Sequence, residues 1–391
     1  MKPSTRRYPP LHCVTADTGA FRQMMKHSIG SSNEPAEQSG DIDMATIIEN
    51  RPFRKLGLKH PLIVAPMAGG PSSAELVAAA SGSGALGSAG SAYSNPAQIE
   101  DFAARVRQLT DRPFAVNLFI PHPIPQIGPA AIERAITATA KYRAELDLPP
   151  AQISGPYEED FEAQFEAVLR VKPAVFSFVF GLLAAEHMRA ARQADMLLIG
   201  TATTLEEAEA LEESGVDAIT LQGFEAGGHR GIFDPEAADS EIGIRDLLAQ
   251  SVKRVRVPLI AAGGIMTAGD IRGALSAGAQ AVQMGTAFLA SAEAGTSPPY
   301  RSKLLESARE TRTTRVFSGR LARGIENRFM QEIAAEAVMP FPAQNKFTRD
   351  IRGASAASGS ADFLSLWAGT GQGILWQGPA SELIEQLFSK A

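Results

Sequence analysis

The chain has 391 residues, with 37 Lys and Arg against 43 Asp and Glu, which gives a formal net charge of -6. Apolar residues make up 45% of it and charged residues 20%, a balance typical of globular proteins and not of collagen-like or largely disordered chains. The slight negative charge argues against a dedicated nucleic-acid-binding protein, because such a protein needs a basic surface. We therefore expect no nucleic-acid partner.

The sequence also argues against metal and membrane proteins. Its single cysteine, Cys13, excludes an internal disulfide framework and a cysteine-based zinc site. There is no HExxH motif and no group of histidines and carboxylates at helical spacing, so we expect no metal. No uninterrupted apolar run reaches the roughly 18 residues of a membrane span, and no apolar segment of a signal peptide follows Arg6 and Arg7. These features predict a cytoplasmic protein without a membrane partner.

Residues 1 to about 45 are predicted to form a flexible N-terminal tail. They are polar, rich in turn-forming residues and without apolar periodicity. Alternatively, Met44 is the true start of a compact protein. In either case we expect residues 46–391 to form the folded part of the chain.

Short apolar segments bounded by Gly or Pro dominate the middle of the sequence. Continuous apolarity of this kind is typical of strands that are buried on both faces. The segments are 62–67, 85–90, 114–119, 174–181, 196–203, 218–223, 258–264 and 281–288. Amphipathic segments with helix-capping residues separate them. This alternation predicts a (β/α)8 TIM barrel of class α/β, with an open doubly wound sheet as the alternative from the pattern alone.

The alternation is interrupted in one place and stops in another. A proline-rich insertion at about 121–172 separates the third predicted strand from the fourth. Beyond residue 290 no further strand-helix repeat follows. We expect residues 291–391 to form a C-terminal helical segment with loops.

Glycines follow the last two predicted strands, where many barrels bind phosphate. Gly263 and Gly264 come after the seventh strand, and Gly285 and Thr286 come after the eighth. Alternatively, these glycines only make tight strand-to-helix turns. Because no metal motif accompanies them, a phosphate here indicates a cofactor rather than phosphoryl transfer.

Two other motif searches do not indicate a functional site. Residues 82–87 fit the GxGxxG dinucleotide pattern, which must follow a strand and open a helix. Here the glycines end a predicted helix and lead into a strand, so we do not interpret them as a nucleotide site. No GxSxG elbow is present, and a serine nucleophile is therefore unsupported.

His229 is the strongest candidate for a catalytic residue. It lies in a glycine-rich loop after the sixth strand, where a planar ligand can approach the backbone and an imidazole can exchange a proton. The alternative is an ordinary surface histidine. His122, in a proline-rich loop, is a weaker rival, and His187 is expected on a solvated helix face. One histidine with a phosphate cradle, and neither a metal nor a nucleophile motif, indicates an organic phosphate-bearing cofactor, for which FMN is the natural candidate.

Five segments in order resemble the nitronate monooxygenase family, formerly called 2-nitropropane dioxygenases. They are PLIVAPMAGG (61–70), FAVNLF (114–119), LQGFEAGGHRG (221–231), PLIAAGGI (258–265) and AVQMGTAFL (281–289). Two later segments are also similar to that family, SGRLARGIENRF (318–329) and LWAGTGQG (366–373). The resemblance covers about residues 52–390.

The resemblance implies an FMN-dependent barrel with an inserted or appended helical region over the active site. It implies that His229 is the catalytic base or orients an anion beside the flavin. The residues that match FMN-binding positions are Ala65, Pro66, Met67, Asn117, Gln222, Ala226, Gly227, Gly263, Gly264, Gln283, Met284, Gly285 and Thr286. Family members oxidise alkyl nitronates such as propionate 3-nitronate with O2 to carbonyl compounds plus nitrite or nitrate. A nitronate and O2 are thus the expected small-molecule partners of a monomer or homodimer.

One departure and two alternative functions accompany this resemblance. Val179 stands where some members have a histidine, in a segment like SFHFG, which puts a second polar contact to the substrate in question. The alternative enzyme is an NAD(P)H-dependent FMN reductase on the same scaffold, such as an enoyl-acyl-carrier-protein reductase or a quinone reductase. In that enzyme His229 would donate a proton. The third alternative is a non-catalytic flavin-binding protein.

Overall fold

A computed structural model describes residues 51–306, 310–373 and 375–389. The predicted tail of residues 1 to about 45, the alternative start at Met44 and the single cysteine, Cys13, lie outside the described residues.

Parallel strands form a closed barrel, which confirms the (β/α)8 prediction and excludes the open sheet. The barrel strands are β1 (Leu62–Val64), β2 (Leu86–Gly90), β3 (Phe114–Phe119), β4 (Val175–Val179), β5 (Leu197–Ala202), β6 (Ala218–Gln222), β8 (Leu259–Ala262) and β9 (Ala281–Met284), while β7 (Gly228–His229) lies outside the barrel. The barrel closes because Ile63 of β1 pairs with Leu86 of β2 on one side and with Gln283 of β9 on the other.

Helices alternate with the barrel strands, and all but the first and the fourth pack around the outer face of the barrel. In chain order they are α1 (Arg51–Lys55), α2 (Ala74–Gly82), α3 (Pro96–Leu109), α4 (Pro129–Glu145), α5 (Phe161–Val171), α6 (Ala185–Gln193), α7 (Leu205–Ser214), α8 (Ile244–Ser251) and α9 (Ala268–Ser276). Capping boxes define the starts of α3 and α9, through Asn95 with Gln98 and Thr267 with Asp270. Within the predicted insertion, α5 packs on α3, whereas α4 packs on a 3-10 turn of the C-terminal region, Ala335–Ala337.

The barrel interior changes from apolar to polar along the strands. At the N-terminal end it is filled by Ile63, Leu86, Ala115, Val175, Ile199, Ala218, Ile260 and Ala281, against which Phe53, Leu56 and Leu58 pack. Side chains of a strand alternate between its faces, so the residue two positions further along points inward again. Six of these eight next positions are polar, Ser88, Asn117, Ser177, Thr201, Thr220 and Gln283, and the other two are Ala65 and Ala262. The C-terminal mouth of the barrel is therefore lined by hydrogen-bonding groups.

The region after β9 leaves the barrel and returns to it. Its elements are a 3-10 turn (Thr286–Phe288), α10 (Pro298–Leu304), β10 (Thr311–Thr314), β11 (Ala322–Ile325), α11 (Arg328–Glu332), α12 (Ala343–Phe347), α13 (Arg349–Ala357) and α14 (Ala380–Phe388). The last helix, α14, packs on α2 and α9 and thus takes the place of the eighth barrel helix. The residues between β9 and α14 are therefore not part of the strand-helix repeat, and some of them contribute to the active-site region.

A small antiparallel sheet, ordered β10-β11-β7, was not predicted from the sequence. Only helices and loops were expected after residue 290. The two additional strands have the sequences TRTT and ARGI, which contain no continuous apolar run. They are strands because they pair with each other and with His229, and periodicity does not reveal such a pairing.

Two further features concern the described part of the chain as a whole. No helix there has the length and apolar character that a bilayer span requires. The same residues contain no group of three or more His, Cys, Asp or Glu side chains placed to hold a metal ion.

Candidate active site

Backbone pairing presents His229 at the C-terminal mouth of the barrel. In the register of β7 and β11, His229 stands opposite Ala322. The amide of Gln222 at the end of β6 donates from Nε2 to the carbonyl of His229 over 2.9 Å, while its Oε1 accepts from the backbone N–H of Gly231 over 2.8 Å. The predicted FMN contact at Gln222 is thus a side chain that already holds the histidine loop in place.

Arg230, the residue after His229, holds the same loop in place through its side chain. Its side chain is fully buried and pairs with Asp239, with 2.6 Å between Nε and Oδ2. Its Nη1 donates to Oε1 of Gln222 and to the carbonyl of Gly223, both over 2.8 Å. A buried charge with all these partners cannot move without losing them, so we infer that it makes the loop rigid.

Aromatic rings surround the imidazole of His229. The ring centroids lie 5.9 Å away for Phe119, 6.0 Å for Phe180, 6.2 Å for Phe341 and 5.6 Å for Trp367. Burial, together with the smaller effect of the nearby cations of Arg320 and Arg352, lowers the pKa of His229 to about 3. The imidazole is therefore neutral at physiological pH.

Ser318 determines which nitrogen of His229 carries the proton. Ser318 Oγ lies 2.8 Å from His229 Nε2, 3.0 Å from the carbonyl oxygen of Arg320 and 3.2 Å from the backbone nitrogen of Arg320. A serine has one proton to donate, and the buried Arg320 carbonyl has no other donor among the described residues. The arrangement that satisfies all three groups has Ser318 donating to this carbonyl and accepting from His229 Nε2–H. The lone pair of the imidazole is then on Nδ1.

The lowered pKa of His229 predicts a pH-dependent stability. Between pH 6.5 and about 3 the unfolded histidine binds a proton that the folded one does not, so its contribution to stability is present above pH 6.5 and is lost as the pH falls. We expect wild type to lose up to about 1.4 kcal/mol per pH unit in this window relative to His229→Asn. Denaturant unfolding of both FMN-saturated proteins at pH 7, 6 and 5 measures the difference. Parallel pH profiles would contradict the assignment of a neutral imidazole.

Glycines bring three segments together beside the histidine loop. A Cβ at Gly227 would lie 2.5 Å from the nitrogen of Gly369, and one at Gly371 would lie 2.7 Å from the carbonyl oxygen of Gly264. Gly264 also has a φ of +70°, a conformation that favours glycine. These positions must be glycine because the backbones touch. A fourth segment, 285–286, joins them through a hydrogen bond between Thr286 and Gly369. We name residues 225–227, 263–264, 285–286 and 369–371 the glycine cradle.

Several hydrogen-bond donors of the glycine cradle have no acceptor among the described residues. Thr286 Oγ1 accepts from the backbone nitrogen of Gly369 over 3.0 Å, which leaves the hydroxyl proton available for another group. The backbone N–H groups of Gly264 and Gly285 have no acceptor within the described ranges. Unused amides and a hydroxyl on converging loops suit an anion such as a phosphate.

The other predicted FMN-binding residues lie on loops or strand ends at the same mouth of the barrel. Asn117 donates from Nδ2 to Ser177 Oγ over 3.0 Å and belongs to the polar interior layer. The turn after β1 is held in place, since the backbone nitrogen of Met67 donates to Ser72 Oγ over 2.8 Å. Met284 differs from the rest because its side chain is buried in the core between the strands and the outer helices. Only its backbone is available to a ligand.

The other two candidate histidines, His122 and His187, make contacts that stabilise the fold. His122 donates from Nε2 to the carbonyl of Phe180 over 2.6 Å and thereby holds one of the rings around His229. The expectation that His187 lies on a solvated helix face is wrong. Its side chain is only 13% exposed, its ring packs edge-on against Phe165, and its Nε2 lies 2.9 Å from a carboxylate oxygen of Glu162.

Several residues around His229 were missed by sequence reasoning. They are Ser318, Arg320, Phe341 and Trp367, and for the glycine cradle Gly369 and Gly371. All come from the region after β9, where no strand-helix repeat indicates which residues face the barrel. The segments SGRLARGIENRF and LWAGTGQG contain all of these residues except Phe341, and they carried no assigned role.

Val179 lies at the mouth of the barrel near the histidine loop. A Cβ on Gly231 would be 3.1 Å from Val179 Cγ2 and 3.2 Å from Thr201 Cγ2. The position that carries a histidine in some family members is thus close to the site but offers no hydrogen bond here.

Comparisons with known proteins agree on one family. The family description "Nitronate monooxygenase" matches residues 51–390. A probable nitronate monooxygenase of Staphylococcus aureus (strain MSSA476) is 37% identical over 346 residues, which are 88% of this chain and 97% of the relative. One of Bacillus subtilis (strain 168) is 38% identical over 327 residues, 82% and 93% of the two chains.

Solved structures are similar as well. A nitroalkane oxidase from Streptomyces ansochromogenes superposes with a TM-score of 0.79 at 37% identity, covering 86% of this chain and 96% of that one. FabK from Thermotoga maritima gives a TM-score of 0.67 at 26% identity, with 86% and 94% covered.

Proposed function

The chain belongs to the nitronate monooxygenase family of oxidoreductases, and from this premise we propose that it is an FMN-dependent enzyme that oxidises alkyl nitronates. The substrate class includes propionate 3-nitronate, and the products are a carbonyl compound plus nitrite or nitrate, with O2 as oxidant. The observation that carries the proposal is the neutral imidazole of His229, held rigidly at the barrel mouth two residues beyond Gly227 of the glycine cradle.

The residues at the barrel mouth fit FMN. Thr286 and the amides of Gly264 and Gly285 would hold its phosphate, because they are unused donors on converging loops. Asn117 and Gln283 in the polar interior layer would lie next to its ring. Bound FMN supplies the electron-transfer chemistry that amino-acid side chains do not provide.

The protein's own residues would orient the anionic substrate and control protons. The Nδ1 lone pair of His229 is free to accept a proton or a hydrogen bond, because Nε2–H is committed to Ser318. The surrounding rings of Phe119, Phe180 and Trp367 exclude water. In such a site each remaining electrostatic interaction is stronger than it would be in solvent.

The alternative is an NAD(P)H-dependent FMN reductase, in which His229 would donate a proton. The similarity to FabK at 26% identity keeps this alternative open. The hydrogen bonds of the site favour the monooxygenase, because the one N–H of the neutral imidazole is donated from Nε2 to Ser318 and only the Nδ1 lone pair is left for a ligand. A flavin-binding protein without catalysis is the third candidate, and bound FMN without turnover of any donor would support it.

Oxygen uptake tests the proposed function directly. We expect the FMN-loaded protein to consume O2 rapidly when it is given propionate 3-nitronate without NAD(P)H, and to release nitrite. The control omits the nitronate and supplies NADH or NADPH alone, which should give only slow uptake. Absence of uptake with nitronate, together with rapid reduction of the flavin by NAD(P)H, would refute the monooxygenase and establish the reductase.

A further inference from the structure

Arg320 is a buried guanidinium that has no carboxylate partner. It is 3% exposed. Of the other buried arginines, Arg230 pairs with Asp239 and Arg143 with Asp350. Arg323 has no ion pair among the described residues either, but its Nε and Nη1 donate to the carbonyls of Phe224 and Thr311. For Arg320, no ion pair within 4.0 Å occurs among the described residues. An unpaired buried cation is costly, so its presence calls for a reason.

The N–H groups of Arg320 are mostly unused. Its Nη2 donates to the carbonyl of Ile232, whereas Nε and Nη1 have no acceptor in the part of the chain that the structure describes. The guanidinium carbon lies 3.7 Å from the ring centroid of Phe180, so the ring face holds the group in position. The side chain is therefore fixed with several donors left for a ligand.

Arg320 belongs to the surroundings of His229. The ring of Phe180, on which it stacks, is also one of the rings around His229. Its backbone carbonyl and N–H both bond to Ser318, the partner of His229. Among charged groups, Arg320 has the largest effect on the pKa of His229. Arg320 and His229 thus have Phe180 and Ser318 as common neighbours.

The nearby carboxylates do not neutralise this cation by contact. Glu207 accepts from the backbone nitrogens of Thr203 and Phe233, over 2.6 Å and 2.7 Å. Burial and the neighbouring Arg315 lower the pKa of Arg320 to about 10, while Glu207 and Asp234 raise it. Arg320 is consequently still positively charged at neutral pH.

We propose that Arg320 binds a small planar oxyanion beside His229, with the N–H groups of Nε and Nη1 as its donors. The ligand class is a nitronate, a carboxylate or the product nitrite, all of which present two oxygens to a guanidinium. This inference rests on the proposed function for the identity of the substrate. It adds that substrate recognition depends on a fixed positive charge, whereas His229 stays neutral. Arg320 is thus a substrate-binding residue of the site.

Calorimetric titration of the FMN-loaded protein with sodium nitrite and with sodium propionate tests the proposal without turnover. In Arg320→Met we expect the dissociation constant of nitrite to rise about tenfold or more, because a hydrogen-bonded charge is lost. Arg320→Lys keeps the charge but loses the planar group, and it should lie between wild type and Arg320→Met. Flavin absorbance at the start of each titration shows that the variant is folded and loaded.

Arg312→Gln is the matched control. Arg312 lies on β10 of the small sheet, its side chain is 67% exposed and it pairs with Glu326, so its loss changes the net charge equally without touching the site. We expect its nitrite affinity to equal that of wild type within about twofold. Equal affinities in wild type and Arg320→Met would overturn the proposal, as would equal losses in Arg320→Met and Arg312→Gln.

Steady-state kinetics then show which end of propionate 3-nitronate Arg320 contacts, the nitronate or the carboxylate. A rise in KM for both ethyl nitronate and propionate 3-nitronate in Arg320→Met assigns Arg320 to the nitronate group, whereas a rise for the latter alone assigns it to the carboxylate. Failure of the inference and failure of the proposed function give different results. If the wild type oxidises nitronates but Arg320→Met binds nitrite as tightly as wild type, only the inference is refuted. If Arg320→Met weakens nitrite binding but the wild type does not oxidise nitronates, only the monooxygenase is refuted.

Discussion

His229→Asn is expected to retain FMN and to lose about 100-fold or more of its nitronate turnover. Loss of a positioned acid-base group typically costs a factor of about 10² to 10⁴. Asparagine keeps a polar group near the position of Nδ1 but has no basic lone pair, so the effect reports on proton or anion handling. The variant should still bind FMN, because the glycine cradle is built from other residues. Steady-state oxygen uptake and flavin absorbance measure both quantities in one preparation.

His187→Gln provides the control for this substitution. His187 packs between outer helices, and a glutamine can keep a hydrogen bond to Glu162. Its turnover should equal that of wild type. If His229→Asn were as active as His187→Gln at full FMN content, His229 would have no catalytic role. If His229→Asn lost the flavin as well, the residue would have to be reassigned to cofactor binding.

Gly285→Glu is expected to give a colourless protein. The backbone of Gly285 has a φ of -110°, which other residues adopt, and a Cβ there would lie 3.5 Å from Ala65 Cβ and 3.7 Å from Met67 Sδ. The position therefore accepts a side chain without backbone strain. A glutamate fills the glycine cradle with a negative charge where we place the phosphate, and like charges repel each other. Absorbance near 450 nm after purification measures the bound FMN.

Two variants separate charge from size and from general damage. Gly285→Ala adds only the Cβ that the site can hold, so it should stay yellow. Gly273→Glu makes the same substitution on the exposed part of α9, where nothing lies within 4 Å, and should also stay yellow. A fully yellow Gly285→Glu would contradict the phosphate site, and a colourless Gly285→Ala would show that bulk rather than charge excludes the cofactor.

The barrel was predictable from the sequence because its strands are buried on both faces. Each strand must then be a short, continuous apolar run, and that signal is local. The runs at 62–67 and 281–288, for example, contain β1 and β9, which close the barrel. The polar residues at the strand ends, such as Asn117 and Gln222, were recognisable because the C-terminal ends of barrel strands carry the active site.

Other parts of the site could not be predicted, since their position depends on contacts far apart in the chain. Ser318 bonds to a histidine 89 residues away, and its segment shows no periodicity that would indicate a strand. Gln222 was expected to contact FMN, and only the fold reveals the additional role of its side chain in holding the histidine loop. His187 was expected in solvent because its helix looked amphipathic, but it packs between two helices.

The sequence by itself determined the barrel, its glycine-rich turns and His229 as the candidate catalytic residue, because each depends on residue types at short spacing. Only the tertiary structure decided the ionisation of that histidine. Burial among aromatic rings from four separate segments and the nearby Arg320 lower its pKa to about 3. Desolvation and Coulomb interactions depend on three-dimensional distances, and these are set when the region after β9 folds back over the barrel.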